Sequence, residues 1–160
     1  MLPAPMTSAA IAQRLADLGF ALPTPTAPVA NYLPFAAAGN LIVISGQGPI
    51  LGETRILGKL GAEISLEEGI RAAQLCFINL LAQASAALDG DLGRVRRVVR
   101  LGGFIAATAA FTEHARVMNG ASDLAVAVFG ERGRHARTTV GVPSLPLDFA
   151  VEVEGWFEIA

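Results

Sequence analysis

The sequence predicts an α+β domain in which helices pack on one face of a single β-sheet. Three patterns in the 160 residues support this prediction. A long apolar stripe with helical spacing follows Ser65, the C-terminal segment alternates apolar and acidic residues as strands do, and shorter helix and strand patterns lie between and before them. Two β–α–β halves closed by antiparallel strands favour helices on one side of the sheet. Because no linker or repeat divides the chain, we expect one domain over residues 1–160.

The N-terminal segment is expected to form a helix over residues 7–19. Thr7 or Ser8 can cap this helix, apolar residues recur at helical spacing, and Gly19 can end it. The prolines that follow predict an extended connector, because proline lacks a backbone N–H and restricts the residue before it. Residues 1–27 are therefore interpreted as a helical extension and connector ahead of the sheet.

A β-hairpin is predicted next. One short strand pattern begins at Tyr32 and a second begins at Leu41. Gly39 and Asn40 lie between them, and this pair suits a tight turn. The run 41–44 is continuously apolar, as in a strand that is covered on both faces. The glycines around and after Gln47 end the second strand and predict an irregular loop.

The best-supported element is a long helix after Ser65. Ser65 and Glu68 form a capping-box pattern, in which each side chain bonds the backbone N–H of the other residue. The apolar stripe behind them predicts a helix of about 22 residues that Gly90 ends. Cys76 falls within this helix and is interpreted as a small core residue.

The remaining segments predict a strand, a helix and a closing hairpin. The strand covers residues 94–106, and Thr112 can cap a helix that ends near Phe129. Residues 137–142 and 149–159 are expected to pair as a hairpin around the prolines between them.

This closing hairpin carries the most informative candidate residues. In the last strand the acidic residues and Trp156 share one face, and the other large apolar residues share the opposite face. If the hairpin is symmetric about Ser144 and Leu145, Arg137 lies opposite Glu152, so the guanidinium and the carboxylate would be neighbours. Such a pair is either an ordinary surface ion pair or part of a binding site, and the pattern alone leaves both interpretations open.

Other polar residues carry weaker signals. Ser45 and Gly46 end a strand pattern, but Ser45 lacks the pattern of flanking glycines and the nearby base of a nucleophilic serine. Asn119 is either a helix interruption or a polar group that faces a cleft. Tyr32 fits a half-buried strand aromatic.

Composition limits the classes of function. Hydrophobic residues make up 52% of the chain and charged residues 16%, yet no apolar stretch approaches the length of a membrane span. The surplus apolar surface therefore predicts a homo-oligomer interface. A net charge of −2 disfavours nucleic acid as a partner, and the arginines at 94–100 are interpreted as a solvated strand edge or an interface rather than an RNA platform. A single cysteine and two isolated histidines, His114 and His135, argue against a metal site, and the histidines are interpreted as surface or packing residues.

Three segments of the chain together carry a family resemblance. They are GNLIVISGQGP, the SLEEGIRAAQLCFINLLAQ helix and, most specifically, ARTTVGVPSLPLDFAVEVEGWFEIA, in which an Ala-Arg pair opens a strand and Leu-Pro marks the turn. Together they resemble the Rid (YjgF-type) family of imine and enamine deaminases, from about Pro28 to the C-terminus. The resemblance implies a chorismate-mutase-like fold, a cytoplasmic homotrimer with pockets between subunits, and no cofactor or metal.

The resemblance also implies roles for individual residues. Arg137 matches the arginine that binds the substrate carboxylate, and Glu152 matches the acidic residue that orients the hydrolytic water. Gly46 and Thr139 would contribute through backbone groups. The side chains expected to line the pocket are Tyr32, Ser45 and Asn119. The chain departs from the family in its N-terminal extension, in Thr139 where many members have Cys or Ser, and in the bulky Trp156 near its end.

The activity that the resemblance implies is hydrolysis of reactive 2-imino and enamine acids to 2-keto acids and ammonia, as protection from metabolite damage. An imine is already electrophilic, so binding of the carboxylate and a polarised water suffice. Two alternatives stay open at this point. The same pocket would suit a non-catalytic module that binds or senses a small carboxylate. Some relatives have been assigned RNA cleavage or translation inhibition, which needs a basic surface that this composition disfavours.

Overall fold

The fold is described by a computed structural model that covers residues 6–25, 27 and 30–160. Its helices and strands, in chain order, are α1 (Ser8–Asp17), β1 (Phe35–Ala38), β2 (Leu41–Gln47), β3 (Ile50–Leu51), β4 (Thr54–Arg55), α2 (Leu66–Ala87), β5 (Val95–Ala106), α3 (His114–Phe129), β6 (Ala136–Val142) and β7 (Val151–Ile159). Short 3₁₀ turns lie at Leu92–Arg94, Gly130–Gly133 and Pro146–Asp148.

Five of the strands form one mixed sheet in the order β1-β2-β7-β5-β6. β5 and β6 run parallel, and the other neighbouring strands are antiparallel. α2 and α3 pack against each other and against the sheet, on the side to which the buried residues of β5 and β7 point. The predicted α+β fold, with helices on one face of the sheet, is confirmed. In the part of the chain that the structure describes, no helix covers the other face, which we call the open face.

The long helix α2 forms the centre of the core, as its pattern predicts. The capping box is present: Ser65 Oγ accepts from the backbone N–H of Glu68 at 3.2 Å, and Glu68 Oε2 accepts from the backbone N–H of Ser65 at 2.8 Å. The helix has 22 residues, and its central part is buried throughout. Cys76 is fully buried in it, so the interpretation as a core residue is confirmed. Burial raises the pKa of the Cys76 thiol well above its usual value.

The N-terminal helix α1 packs on the helical layer rather than on the sheet. Thr7 caps it by accepting from the N–H of Ala10, and Ile11 and Leu15 are the residues that it buries. Arg14 donates from Nη1 to the carbonyl oxygen of Val128 at 3.1 Å, near the end of α3. None of the helices in the described ranges combines the length and hydrophobicity that crossing a bilayer requires.

Three local predictions are corrected by the structure. The helix after β5 begins at His114 rather than near Thr112, and no side chain caps it; Phe111 packs edge-on against His114 at this start. α3 runs through Asn119, so the interruption proposed there is wrong. The loop after Gln47 is not wholly irregular, because β3 and β4 pair within it.

The predicted closing hairpin is also wrong, because β6 and β7 are not neighbours. β5 lies between them and pairs with both, so that Arg137 is opposite Leu101 and Glu152 is opposite Phe104. A long buried strand needs a neighbour on each side to satisfy its backbone N–H and C=O groups. The connection over residues 143–150 is long enough to cross the end of β5, and this lets β7 take the place on its far side.

Candidate functional site

Arg137 lies in a shallow groove between β6 and α3. It is opposite the buried Leu101, so its side chain turns to the helical side of the sheet. Nη1 donates to Ser122 Oγ at 3.0 Å and Nη2 to the carbonyl oxygen of Ala115 at 3.3 Å. The groove has a volume of about 300 Å³ and is also lined by Asn119. The structure therefore brings Arg137 and Asn119 together on one exposed surface.

Thr139 points to the same side of β6, two residues beyond Arg137. It pairs with Gly103, where α3 approaches so closely that an added Cβ would lie 2.5 Å from Met118 Sδ. The Thr139 hydroxyl is buried and has no hydrogen-bond partner among the described residues. An unpaired hydroxyl is costly inside a protein. The side chain of Thr139 thus adds an unused polar group beside the groove, beyond the backbone role that the resemblance implies.

Tyr32 and Gly46 lie in a second pocket, near the end of β2. This pocket has a volume of about 130 Å³, and Tyr32 remains 49% exposed beside it. Asn79 of α2 forms part of its wall and donates to the carbonyl oxygens of Gly48 at 3.1 Å and Ile50 at 2.7 Å. The loop after β2 is therefore held by a buried amide rather than by packing alone.

Ser45 supports this second pocket but does not line it. Its hydroxyl donates to the carbonyl oxygen of Leu33 at 2.7 Å. This bond ties β2 to the segment that carries Tyr32. The structure thus gives Ser45 a positioning contact, which differs from the pocket-lining role that the resemblance implies.

Glu152 projects from β7 onto the open face, between the buried Val151 and Val153. Its carboxylate lies against Gly46, where an added Cβ would be 2.0 Å from Glu152 Oε1. Burial raises the pKa of Glu152, and the nearby Glu154 carboxylate raises it further. No ion pair with this carboxylate is found among the residues that the structure describes. The group is therefore an unpaired, partly buried acid.

The two expected catalytic residues are not neighbours within one chain. Arg137 turns to the helical side and Glu152 to the open face, with β5 between their strands. Their backbones are roughly 10 Å apart across the sheet and about 10 Å apart along it. The seven residues implied by the resemblance form two groups: one of Arg137, Asn119 and Thr139, and one of Tyr32, Ser45, Gly46 and Glu152.

Four polar residues near these groups were missed as site residues. Asn79 and Gln83 line the second pocket, and Ser122 and His135 line the groove. The signal for the first pair was two polar residues four apart within a buried apolar run. His135 is partly buried and hydrogen-bonded to Ser122, so its interpretation as a plain surface or packing residue was incomplete. Within the described ranges, no cluster of three His, Cys, Asp or Glu side chains could hold a metal ion.

Replacing Gly46 with alanine is expected to displace the Glu152 carboxylate without unfolding the protein. The new Cβ would overlap Glu152 Oε1, which is the movable end of a long side chain. A displacement of about 1 Å at a reacting group lowers turnover by roughly 10–100-fold. Steady-state kinetics measure this loss, and circular dichroism verifies the fold.

Gly102→Ala is the matched control for this substitution. An added Cβ there would lie 2.6 Å from Oε1 of Glu154, a carboxylate that pairs with Arg100 instead of facing the second pocket. We expect this variant to keep most of its activity. Equal losses from both substitutions would mean that the contact of Gly46 with Glu152 has no special role.

Most of the chain is similar to known proteins. Residues 12–158 match the family model described as "YjgF/chorismate_mutase-like, putative endoribonuclease". Protein TCP17 of Trypanosoma cruzi is 44% identical over 96% of this chain and 97% of its own length. The crystal structure of Atu1372 from Agrobacterium tumefaciens has a TM-score of 0.91 at 45% identity, covering 96% of this chain and 94% of that one. The structure of a "putative endoribonuclease" from Shewanella oneidensis has a TM-score of 0.89 at 35% identity, covering 93% of this chain and 99% of that one.

Proposed function

Because the chain belongs to the YjgF/chorismate mutase-like family, we propose that it hydrolyses reactive 2-imino and enamine acids to 2-keto acids and ammonia. The observation that carries the proposal is the state of Arg137. Its guanidinium is held in a groove by two neutral acceptors, and no ion pair includes it in the described part of the chain. A fixed, uncompensated guanidinium is suited to a small carboxylate, which it can bind through two parallel hydrogen bonds.

The second part of the proposal is that the complete site forms between subunits of a homotrimer. One chain separates Arg137 from Glu152 by a strand and by the two faces of the sheet. The open face also presents exposed large apolar side chains, Val140 and Trp156, that a second copy would cover. Assembly would then place the groove of one subunit against the Tyr32 pocket and Glu152 of the next, in keeping with the closed symmetry of most homo-oligomers.

The chemistry needs few groups. Arg137 binds and orients the carboxylate, which fixes the C=N carbon next to the acid of the neighbouring subunit. Glu152 accepts a proton from water as the water oxygen bonds to that carbon, and the imine nitrogen takes up protons until ammonia leaves. The atoms balance as imino acid plus water giving keto acid plus ammonia. A carboxylate whose pKa is raised is a stronger base than an ordinary one, which suits this step.

The direct test generates 2-imino acids in place with an amino-acid oxidase and follows the release of ammonia and keto acid. We expect the protein to accelerate release above the uncatalysed rate for at least one of a set of small, branched and aromatic imino acids. Ligand binding without acceleration across the set would leave the carboxylate-binding module as the function. RNA cleavage, which the names of the family model and of the Shewanella protein suggest, is assayed in parallel, and cleavage without deamination would replace the proposal.

Mixing two inactive variants is expected to restore activity if the site forms between subunits. In a trimer built from equal amounts of Arg137→Ala and Glu152→Gln chains, a site is intact when its arginine comes from one variant and its glutamate from the other. Random exchange leaves both residues intact in about a quarter of the sites, so the mixture should show about a quarter of the wild-type activity. The mixture is prepared by mild dissociation and reassembly.

Sedimentation provides the companion measurement, with an expected mass near three times 16.6 kDa. The control is each variant taken through the same treatment alone, which should stay inactive. A trimer that shows no recovery after verified exchange would mean that each site draws both residues from one chain. A clean monomer would remove the shared site altogether.

A further inference from the structure

Arg137 is the end of a hydrogen-bonded chain that leads back into the protein. Its Nη1 lies 3.0 Å from Ser122 Oγ, and Ser122 Oγ lies 3.0 Å from His135 Nε2. His135 Nδ1 in turn lies 2.6 Å from the carbonyl oxygen of Gly133. The members come from β6, from the middle of α3 and from the turn between them, so the chain ties three pieces of backbone together.

The direction of each bond in this chain follows once the His135 ring is neutral. A carbonyl oxygen only accepts, so His135 Nδ1 carries the hydrogen and a neutral ring leaves Nε2 as an acceptor. The Ser122 hydroxyl donates to Nε2, and its lone pairs are then free to accept from the guanidinium. Burial has the largest effect on the pKa of His135 and lowers it. The hydrogen bond to Gly133 raises this pKa and the charge of Arg137 lowers it again, so the net shift favours the neutral ring.

The partners of Arg137 differ from those of the neighbouring arginine in the same groove. Arg134 pairs with the carboxylate of Glu131 at 3.0 Å, so its charge is already compensated. Arg137 is held by a hydroxyl and a carbonyl, although the acidic Asp123 also lines the groove. Neutral acceptors restrict the side chain without competing for the charge, and this leaves the charge for a ligand.

The Ser122–His135 pair also resembles the pair in a serine nucleophile, but its surroundings do not suit that role. Ser122 lies inside α3, where the backbone N–H groups are used in the helix. No backbone donors are therefore free to hold an oxyanion next to it, as a nucleophilic serine requires. Its lone pairs are also turned to Arg137 rather than to an incoming carbonyl carbon.

We infer that Ser122 and His135 are positioning residues that hold Arg137 in the orientation that receives the carboxylate of the ligand. The inference rests on the proposed function in one respect, namely that Arg137 meets this carboxylate. Arginine has many rotamers, and their loss is a cost of binding unless the side chain is held in advance. The Ser122 hydroxyl restricts the Arg137 side chain in advance by accepting from its Nη1. His135 sets the direction in which this hydroxyl points.

The test measures the affinity for pyruvate and phenylpyruvate by calorimetry, independently of turnover. Removing the hydroxyl by Ser122→Ala is expected to weaken binding by about 3–10-fold, the usual effect of one hydrogen bond. Ser122→Thr retains a hydroxyl and should restore most of the affinity. His135→Leu should weaken binding as Ser122→Ala does, whereas His135→Gln, which keeps an acceptor, should have a smaller effect. In kinetics, Ser122→Ala should raise KM with little change in kcat.

A double-mutant cycle separates positioning from general stability. In an Arg137→Ala background the further change Ser122→Ala should no longer alter affinity, because the residue it positions is gone. Ser85→Ala in α2, away from the groove, is the matched control and should leave affinity unchanged.

Each outcome of these measurements bears on one proposal in a distinguishable way. A strong Arg137→Ala effect with no effect of Ser122→Ala would overturn the inference and leave the proposed function standing. If the double-mutant cycle showed coupling between Ser122 and Arg137 in a protein that has no turnover, the inference would be supported and the proposed deaminase activity would be rejected. If the wild type bound neither keto acid, or if Arg137→Ala did not weaken binding, the inference would fall because Arg137 would hold no carboxylate.

Discussion

Arg137→Ala is expected to reduce kcat/KM for 2-imino acids by about 100-fold or more and to weaken keto-acid binding by a similar factor. Charge-assisted, bidentate hydrogen bonds to a carboxylate are the strongest that a side chain forms, and each is worth roughly 1.5–3 kcal/mol. The side chain is exposed and contacts only Ser122 and Ala115 among the bonds described. The free energy of unfolding should therefore change little, as urea unfolding would show.

Two further variants make this result specific. Arg137→Lys keeps the charge but not the planar fork, so we expect it to recover only a small part of the activity. Arg134→Ala removes the other arginine of the groove, which is already paired with Glu131, and should retain most activity. If Arg137→Ala unfolded the protein or dissociated it, the arginine would be structural. Equal losses in both alanine variants would indicate a general effect of positive charge in the groove.

The fold could be predicted largely because its signals are local. The capping box of Ser65 and Glu68 and the apolar stripe behind it place α2 within a residue or two, and the alternation in β7 gives its two faces correctly. Strand order is a different kind of information, since the same alternation fits a hairpin of β6 and β7 or a strand inserted between them. Only the packing of the whole sheet decides that β5 lies between β6 and β7.

The site is harder to predict than the fold for the same reason. The symmetric hairpin suggested that Arg137 and Glu152 meet within one chain, whereas the register separates them. Ser122 and His135 lie thirteen positions apart and carry no local pattern; the turn after α3 brings them to 3.0 Å. The unpaired Thr139 hydroxyl is likewise visible only once α3 is seen to cover β6.

Glu152→Gln is expected to abolish most turnover while leaving keto-acid affinity close to that of the wild type. The amide cannot accept a proton from water, but it occupies the same volume and leaves Arg137 untouched. General-base catalysis contributes about 100–10,000-fold, so kcat should fall by a factor in that range. A comparable loss of affinity would instead show that Glu152 acts mainly in binding.

Ionisation of the Glu152 carboxylate is expected to change activity and stability in opposite directions as pH rises. Because its pKa is raised above the ordinary value of 4.5 by burial and then by Glu154, the base is lost at a higher pH than an exposed glutamate would show. The acid limb of the kcat/KM profile should therefore lie at a higher pH than an ordinary glutamate would give, and it should vanish in the residual activity of Glu152→Gln.

For folding, a raised pKa in an acid means that the native state binds more protons than the unfolded state between the two pKa values. This group's contribution to the free energy of unfolding therefore falls as pH rises through that window. At neutral pH the ionised carboxylate opposes folding, so thermal unfolding of Glu152→Gln should occur at a slightly higher temperature than that of the wild type. Glu158→Gln, which removes the partner of Arg97 at an exposed pair, should leave both activity and stability nearly unchanged. A glutamate whose replacement lowers activity and raises stability is one that the fold retains for chemistry, whereas a loss of both would identify Glu152 as a structural residue.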